Sequence, residues 1–511
     1  MRTLDRPPAL GGLILALAGL FLALSGAAQE PQPGGTLRVG LQGDFTTLDP
    51  HMSTSAVDRD VYYQLYNTLV GLDPNLNIVP ELAESWEQPD PLAYVFRLRK
   101  GVRFHDGTDF NAEVVRWNVE RMVNPATGSI RRSELGNIKS VDVLDSHAVR
   151  LNLKEPDAAL LATLTDRAGI MVSRGAVEKH GKDFARNPVG TGPFQFVEWV
   201  KDDRLIVRRF PGYWRKGAPY LDEVAYKPIP DHTVKLTALR TGALDLIDDL
   251  PPKDVAPLKS NPKLRVVETP GLGYRRMELN TTRPPFNNKA LRQAVAWAVN
   301  REAIHRAVFF ALGAVAQGPI PPRSWAYEAL PGYGNAPDPA RARQKLAEGG
   351  QPNGFKFTLN ILNTPLAQKQ AQIIQENLKR VGIDMEIALL EIGAWIEKRK
   401  AGQFDAAESL WSGRPDPDGN MFSHLTTGGA NNWGKYANPK VDELLHQARS
   451  SPSQAERKRF YTEAVRLLIE DSPLVFVHHD AWTKAWDERV QGYVEIPDGR
   501  MRLERVWLAR R

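Results

Sequence analysis

The stretch from Phe355 to Leu390 constrains the fold more than any other part of the chain. Its ends, FKFTLNIL (Phe355 to Leu362) and DMEIALL (Asp384 to Leu390), have the composition of strands, and between them Ile374, Leu378 and Val381 recur at the spacing of one helix face. Strand, helix and strand at this spacing form a βαβ unit, whose two strands run parallel. Elsewhere the pattern is that of hairpins: from Phe194 to Phe210 two strand-like runs flank Asp202-Asp203. A chain of 511 residues that mixes crossover units with hairpins is an α/β assembly of more than one lobe, and its length fits three domain-sized units.

Further elements follow from periodicity. TLRVGLQ (Thr36 to Gln42), VRLNLK (Val149 to Lys154) and RLIVRRF (Arg204 to Phe210) alternate like strands, DRDVYYQLYNTLV from Asp58 reads as helical, and Leu291, Ala294, Val295 and Ala298 define another helix face. In the stretch Pro80 to Arg121, Tyr94, Phe96 and Leu98 alternate with Val95, Arg97 and Arg99, and Lys100-Gly101 turns the chain into a second short strand, Val102 to Phe104. After the turn Asp106-Gly107, Asn111 is placed to cap a helix carrying Val115, Val119 and Met122.

Residues 1 to 28 carry Arg2 and Arg6, an apolar run from Ala9 to Leu24 and the small residues Ser25 to Ala28, the three-part pattern of a signal peptide cleaved near Ala27 or Ala28. The alternative is a membrane anchor, but a run of roughly 15 residues interrupted by glycine falls short of the roughly 20 needed to span a bilayer. The chain has no cysteine, which excludes disulfides, thiolate metal sites, a cysteine nucleophile and a lipid-modified cysteine anchor. A freely diffusing periplasmic protein is the simplest expectation. The formal charge of +6 is too dilute over this length to imply nucleic acid, and the arginines at 500, 502, 505, 510 and 511 read as a solvated surface.

The motifs of common enzyme classes are absent: no HExxH, no GxSxG and no GxxxxGK[ST] occur. GTGPF (Gly190 to Phe194) lacks the third glycine of a dinucleotide loop and reads as a turn entering a strand. His478, His479 and Asp480 follow the apolar LVFV; neighbours on a strand point to opposite faces, so they read as structural histidines rather than one metal site. His105, in the turn FHDG, reads as a histidine paired with backbone groups. No cofactor is expected.

LAESWE, the following strand and LRKGVRFHDGTDFNAEVV closely resemble the signature region of the family 5 extracellular solute-binding proteins, the dipeptide, oligopeptide, nickel and opine receptors of ATP-driven importers. NPVGTGPFQFVEW (Asn187 to Trp199), FPGYWRKGAPYLDEV (Phe210 to Val224), LRTGALDLID (Leu239 to Asp248) and FNNKALRQAVAWAVNREAI (Phe286 to Ile304) follow in the family's order, so the resemblance covers nearly everything after about residue 35. It implies a two-lobed periplasmic binding protein fold of type II, the Venus flytrap, with an extra third domain. Lobe I would comprise 29–62, 188–274 and 482–511, the extra domain 63–187, and lobe II 275–481, with two crossings acting as hinges. It also implies a small-molecule ligand, ABC permease subunits with their ATPases as partners, a monomer, and no catalysis. A secreted metal-dependent hydrolase using His478 and His479 and a periplasmic peptide-binding chaperone are the competing readings.

The stretch Leu410 to Tyr436, LWSGRPDPDGNMFSHLTTGGANNWGKY, is the first candidate for ligand contact, because a turn-rich loop following a buried strand aims polar groups from a rigid scaffold. Trp411 and Trp433 add flat apolar surface, or else belong to the core. In the dipeptide and oligopeptide branch an aspartate shortly after this tryptophan pairs with the ligand's amino terminus; counting from Trp411, that position falls on Arg414. Arginine repels an ammonium and grips a carboxylate or phosphate in two-pronged fashion, so an anionic solute is expected. Asp416 and Asp418 are candidates to take over an amine. The early loop Thr46 to Ser55 leaves the first strand of lobe I, making Thr47 and Thr54 further candidate contacts.

Overall fold

The structure, a computed structural model, describes residues 30–510; the leader expected at 1–28 lies outside them. Three sheets organise the chain. The first has seven strands in the order Leu264–Pro270, Ala481–Asp487, Leu246–Ile247, Thr36–Leu41, Glu223–Pro228, Arg204–Arg209 and Phe194–Val200. Its central strand, Thr36–Leu41, runs parallel to both neighbours and buries Leu37, Val39 and Leu41 completely. The hairpin expected between Phe194 and Phe210 is present, with Asp202 in the left-handed region at its tip.

The second sheet has six strands: Ala314–Val315, Leu474–His479, Tyr274–Leu279, Ala406–Trp411, Lys356–Leu362 and Asp384–Leu390. The βαβ unit read from sequence is its outer edge. Lys356–Leu362 pairs in parallel with Asp384–Leu390, joined through the helix Pro365–Lys379, whose first turn Thr364 caps by accepting from the Ala367 amide at 3.3 Å. Ala371, Ile374 and Leu378 of that helix and Leu291, Ala294 and Val295 of the helix Lys289–Ala298 close one core over this sheet.

The third sheet is antiparallel, in the order Ala83–Asp90, Ala93–Leu98, Ala148–Leu153 and Ile138–Asp145. The helix Ala112–Val123 lies in its core through Val115, Val119 and Met122, and the Asn111 side chain accepts from the Val114 amide at 3.1 Å, the cap expected from sequence. Among the described residues no helix is long and apolar enough to cross a membrane.

Three expectations are corrected. Val102 to Phe104 forms no strand: Arg103 makes an isolated bridge to Asp109, and Asp106 accepts from the amide and hydroxyl of Thr108, closing a turn too tight for a ladder. The helix begun at Asp58 stops at Leu65, because Gly192 donates to the Leu65 carbonyl and Tyr66 turns extended. A Cβ at Gly192 would lie 2.4 Å from the Gln64 carbonyl oxygen, so the glycines of GTGPF let backbone meet backbone there. The arginines near the C-terminus are not all solvated: Arg500 is buried and donates to the Ala56 carbonyl at 3.0 Å and to Asp60 at 3.3 Å.

The histidines have local partners. His105 Nε2 lies 3.0 Å from the Gly192 carbonyl, His478 stacks on Phe309 with centroids 3.7 Å apart, and His479 Nδ1 lies 2.8 Å from the Gly273 carbonyl. The chain passes between the two large sheets at 271–273 and again at Asp480, and these crossings touch through a 2.9 Å hydrogen bond from the Gly271 amide to the Asp480 carbonyl.

Candidate functional site

The loop following the buried strand Ala406–Trp411 is fixed by one side chain. Asn420, 1% exposed, accepts from the Trp411 indole at 3.0 Å and from the Arg414 amide at 2.9 Å, while its own amide donates to the Leu272 carbonyl at 3.0 Å. Gly413, at a φ of 83°, allows the bridge to Leu272, since a Cβ would sit 2.1 Å from the Leu272 carbonyl carbon. The loop is thus tied to a crossing between the large sheets, and the helix Asp418–Leu425 follows from it.

That loop forms one wall of a cavity of about 320 Å³ through Trp411, Arg414, Asp416, Asp418, Phe422 and Arg449. The facing wall comes from the segment 133–166, with Ser133, Glu134, Asn137, Asp157, Ala162 and Asp166. The two walls are joined at one rim by the hydrogen bond from the Ala158 amide to the Arg449 carbonyl, 2.9 Å.

At one end of the cavity Arg414, Glu134 and Asp166 line the wall, and Arg59, Arg131 and Arg167 pair with those acids from outside the lining. Asp166 lies 3.0 Å from Arg59, 3.7 Å from Arg167 and 3.7 Å from Arg414, and Arg131 pairs with Glu134. Four guanidinium groups therefore share two carboxylates. Burial pushes the Asp166 pKa up, but Arg59, Arg167 and Arg414 outweigh it and hold the carboxyl far below the usual range. Burial, against the pull of Asp166, lowers Arg167 to about 9, aided by the like charges of Arg131, Arg59 and Arg414. The Nε atoms of Arg59, Arg131 and Arg167 are buried without a hydrogen-bond partner. Arg167 is braced by the early loop, donating to the Ser53 carbonyl at 2.9 Å. Arg414 stacks over Trp411, its guanidinium carbon 4.5 Å from the ring centroid.

The other end carries carboxylates. Asp418 accepts two bonds from Arg449, at 2.6 and 2.9 Å, and Asp416 accepts from Arg457 at 2.6 Å. Both acids read from sequence as candidate amine acceptors are therefore already neutralised by arginine. Asp157, 7% exposed, makes no ion pair among the described residues; its oxygens accept from the Ala159 amide at 3.0 Å and from Asn137 at a long 3.4 Å. Burial and the neighbouring Asp418 charge raise its pKa to about 6.

Four residues expected at the site, Trp411, Arg414, Asp416 and Asp418, thus lie together on the cavity wall. Trp433 lies outside it, stacked on Arg399 at 4.2 Å with its indole donating to the Ala430 carbonyl. Thr47 lines a separate surface depression with Asp49 and Arg121, and its hydroxyl accepts from the Asp49 amide. Thr54 is exposed, between the Ser53 and Ser55 carbonyls that hold Arg167. Sequence reasoning missed the contribution of Arg59, Arg131, Glu134, Asp157, Asp166 and Arg167. A signal existed in Asp58-Arg59-Asp60, three consecutive charges opening a helix that goes on to bury Val61, Tyr62 and Leu65, since buried charges need partners.

Comparison with known proteins places this geometry in context. The family model for bacterial extracellular solute-binding proteins, family 5, middle region, matches residues 77–433. The chain is 33% identical over 499 residues to the glutathione-binding protein GsiB of Salmonella choleraesuis, covering 94% of this chain and 96% of that one. Among solved structures, the ABC transporter-associated periplasmic binding protein DppA from Helicobacter pylori, in complex with peptide STSA, superposes with a TM-score of 0.84 at 29% identity, covering 94% of this chain and 99% of that one. AgaA from A. tumefaciens R10, in complex with agropinic acid, does so with a TM-score of 0.84 at 30% identity, covering 93% and 99%.

Proposed function

The chain belongs to the bacterial extracellular solute-binding proteins of family 5, and from that premise we propose that it is the periplasmic receptor of an ABC importer for a small, anionic, peptide-like solute. The observation that carries the ligand class is Arg414 on the cavity wall, backed by Arg59, Arg131 and Arg167, so that four guanidinium groups share only Asp166 and Glu134. A ligand carboxylate beside Arg414 balances that excess of positive charge, and a guanidinium presents donors in the fork that a carboxylate matches. The names of the relatives agree with this class, since one is called glutathione-binding and others were solved with a peptide and with agropinic acid.

In this reading the seven-stranded sheet builds lobe I, the six-stranded sheet lobe II and the four-stranded sheet the extra domain. The crossings at 271–273 and 480 serve as hinges. The solute stabilises the closed arrangement by touching both walls of the cavity, and affinity comes from a few directed polar groups working where water is excluded. The protein makes and breaks no bond; the partner ATPases supply the energy, and the permease receives the solute from the closed receptor. The hydrolase reading loses support because His479 holds the Gly273 carbonyl and His478 packs against Phe309 and Asp480.

The test is calorimetric titration of the purified protein with glutathione, agropinic acid and the tetrapeptide Ser-Thr-Ser-Ala, together with mass spectrometry of anything that co-purifies. Saturable 1:1 binding of an acidic solute, weakened by neutralising its carboxylate as an ester or amide, supports the reading. Absence of saturable binding by every acid, or equal binding of the amidated forms, overturns it. Turnover of the bound solute overturns the non-catalytic assignment.

A further inference from the structure

An anionic ligand explains the arginine end of the cavity and leaves the opposite end unexplained. Asp157 stands on the same wall as Glu134 and Asp166, yet no lysine or arginine is paired with it among the described residues. The neighbouring cations are bonded elsewhere: Arg449 gives Nε and Nη2 to Asp418 and acts on Asp157 only through space, and Arg457 bonds Asp416 and the Tyr461 hydroxyl. One Asp157 oxygen holds the Ala159 amide, and the other has only the long contact to Asn137. A carboxylate buried in this way is costly unless a cation joins it, and the cavity is the approach open to one. Burial and the neighbouring Asp418 charge raise the Asp157 pKa in spite of Arg449, in keeping with a carboxylate that no cation contacts directly.

We infer that Asp157 receives an ammonium group of the bound solute, so that the ligand is a zwitterion held by its carboxylate at the arginine cluster and by its amine at the far end. This inference rests on the anionic, peptide-like reading above and narrows it. The position expected by analogy to carry the amine acceptor is occupied by Arg414, and Asp416 and Asp418 are matched by their own arginines. The amine acceptor has thereby moved across the cavity, from the loop after Trp411 to the segment that carries the Ala158 bridge. A ligand bound this way touches both walls with opposite charges, which selects its orientation as well as its class.

The probes are glutathione and Ser-Thr-Ser-Ala, each with a free amine, and their N-acetylated counterparts, titrated into the full-length mature protein and into Asp157→Asn. Acetylation is expected to weaken binding to the unaltered protein at least tenfold. In Asp157→Asn the free and acetylated forms should differ by less than threefold, because the loss falls on the amine-bearing form alone. The acetylated form is the internal control for folding, since its affinity should be the same in both proteins. Equal affinity of free and acetylated forms for the unaltered protein, or an undiminished preference for the amine in Asp157→Asn, overturns the assignment and leaves the anion reading standing. Loss of both forms in Asp157→Asn, with the thermal transition intact, makes Asp157 a positioning group and also overturns it. Failure of every form to bind the unaltered protein overturns the assignment together with the reading it rests on.

Discussion

Replacing Asp166 by asparagine isolates the electrostatics of the arginine cluster without changing its shape. The side-chain amide of Asp166→Asn keeps an oxygen for the Arg167 backbone amide, from which the carboxylate now accepts at 2.8 Å, so the local turn is preserved. What is lost is the counter-charge shared by Arg59, Arg167 and Arg414. Breaking a buried pair by removing one partner costs about 3–5 kcal/mol, because the remaining charge stays desolvated. At roughly 2.1 cal/mol/K of unfolding entropy per residue, a cooperative unit of the described size loses on the order of 1 °C in Tm per kcal/mol, so a fall of about 3–5 °C is expected for the empty protein. Because the folded pKa of Asp166 lies below its unfolded value, its contribution is complete above about pH 4 and shrinks as pH falls further. Scanning calorimetry at pH 7 and at pH 3.5 reads both the size and the sign. An acidic ligand should restore part of the lost stability, since it brings a carboxylate to Arg414 on the cavity wall, adding about 2.7 kcal/mol at a hundredfold excess over its Kd. An unchanged Tm at pH 7, or a difference that grows on acidification, would refute the reasoning.

Arg414→Ala is expected to weaken binding of the acidic ligand at least tenfold by calorimetric titration, and unchanged affinity removes that residue from the site. Gly192→Ala drives a Cβ to within 2.4 Å of the Gln64 carbonyl oxygen, so denaturant titration should show a loss of several kcal/mol, the range of a severe core clash. Asp157 has its folded pKa raised to about 6 by burial and by Asp418, against the pull of Arg449, so the empty protein loses stability as pH rises from about 4 to about 6. Asp157→Asn should remove that loss and stabilise the empty protein at pH 7 by on the order of 2 kcal/mol in urea titrations; a destabilised variant there contradicts it. Affinity for an amine-bearing ligand should be level above pH 6 and fall below it as Asp157 takes up its proton beside Asp418, Arg449 and Tyr94, and a flat profile from pH 7 to pH 5 argues against the ammonium contact.

Much of the architecture was legible from local patterns. The parallel pair around Pro365–Lys379, the hairpin at Asp202 and the Asn111-capped helix each follow from periodicity and turn chemistry confined to a few dozen residues. The end of the helix at Leu65 was decided by Gly192, far away in the chain, and no local propensity reports such a contact; at Val102 to Phe104 the turn read from sequence was right, and the chain makes only a single bridge before it. The site divides in the same way. Trp411, Arg414, Asp416 and Asp418 lie in one short turn-rich stretch, whereas Arg59, Arg131, Asp157 and Asp166 come from other segments and meet it only after folding.

By itself the sequence determined the family, through ordered motifs that encode strands, turns and caps, and the class of charge at position 414, because side-chain chemistry is fixed before folding. Only the tertiary structure decided which charges are spent on one another. Asp416 and Asp418 look available in the sequence and are matched by Arg457 and Arg449; Asp157 looks unremarkable and, among the described residues, lines the cavity with no cation paired to it. The physical reason is that the worth of a buried charge depends on its neighbours within a few ångströms, and those neighbours are brought together from separate segments of the chain.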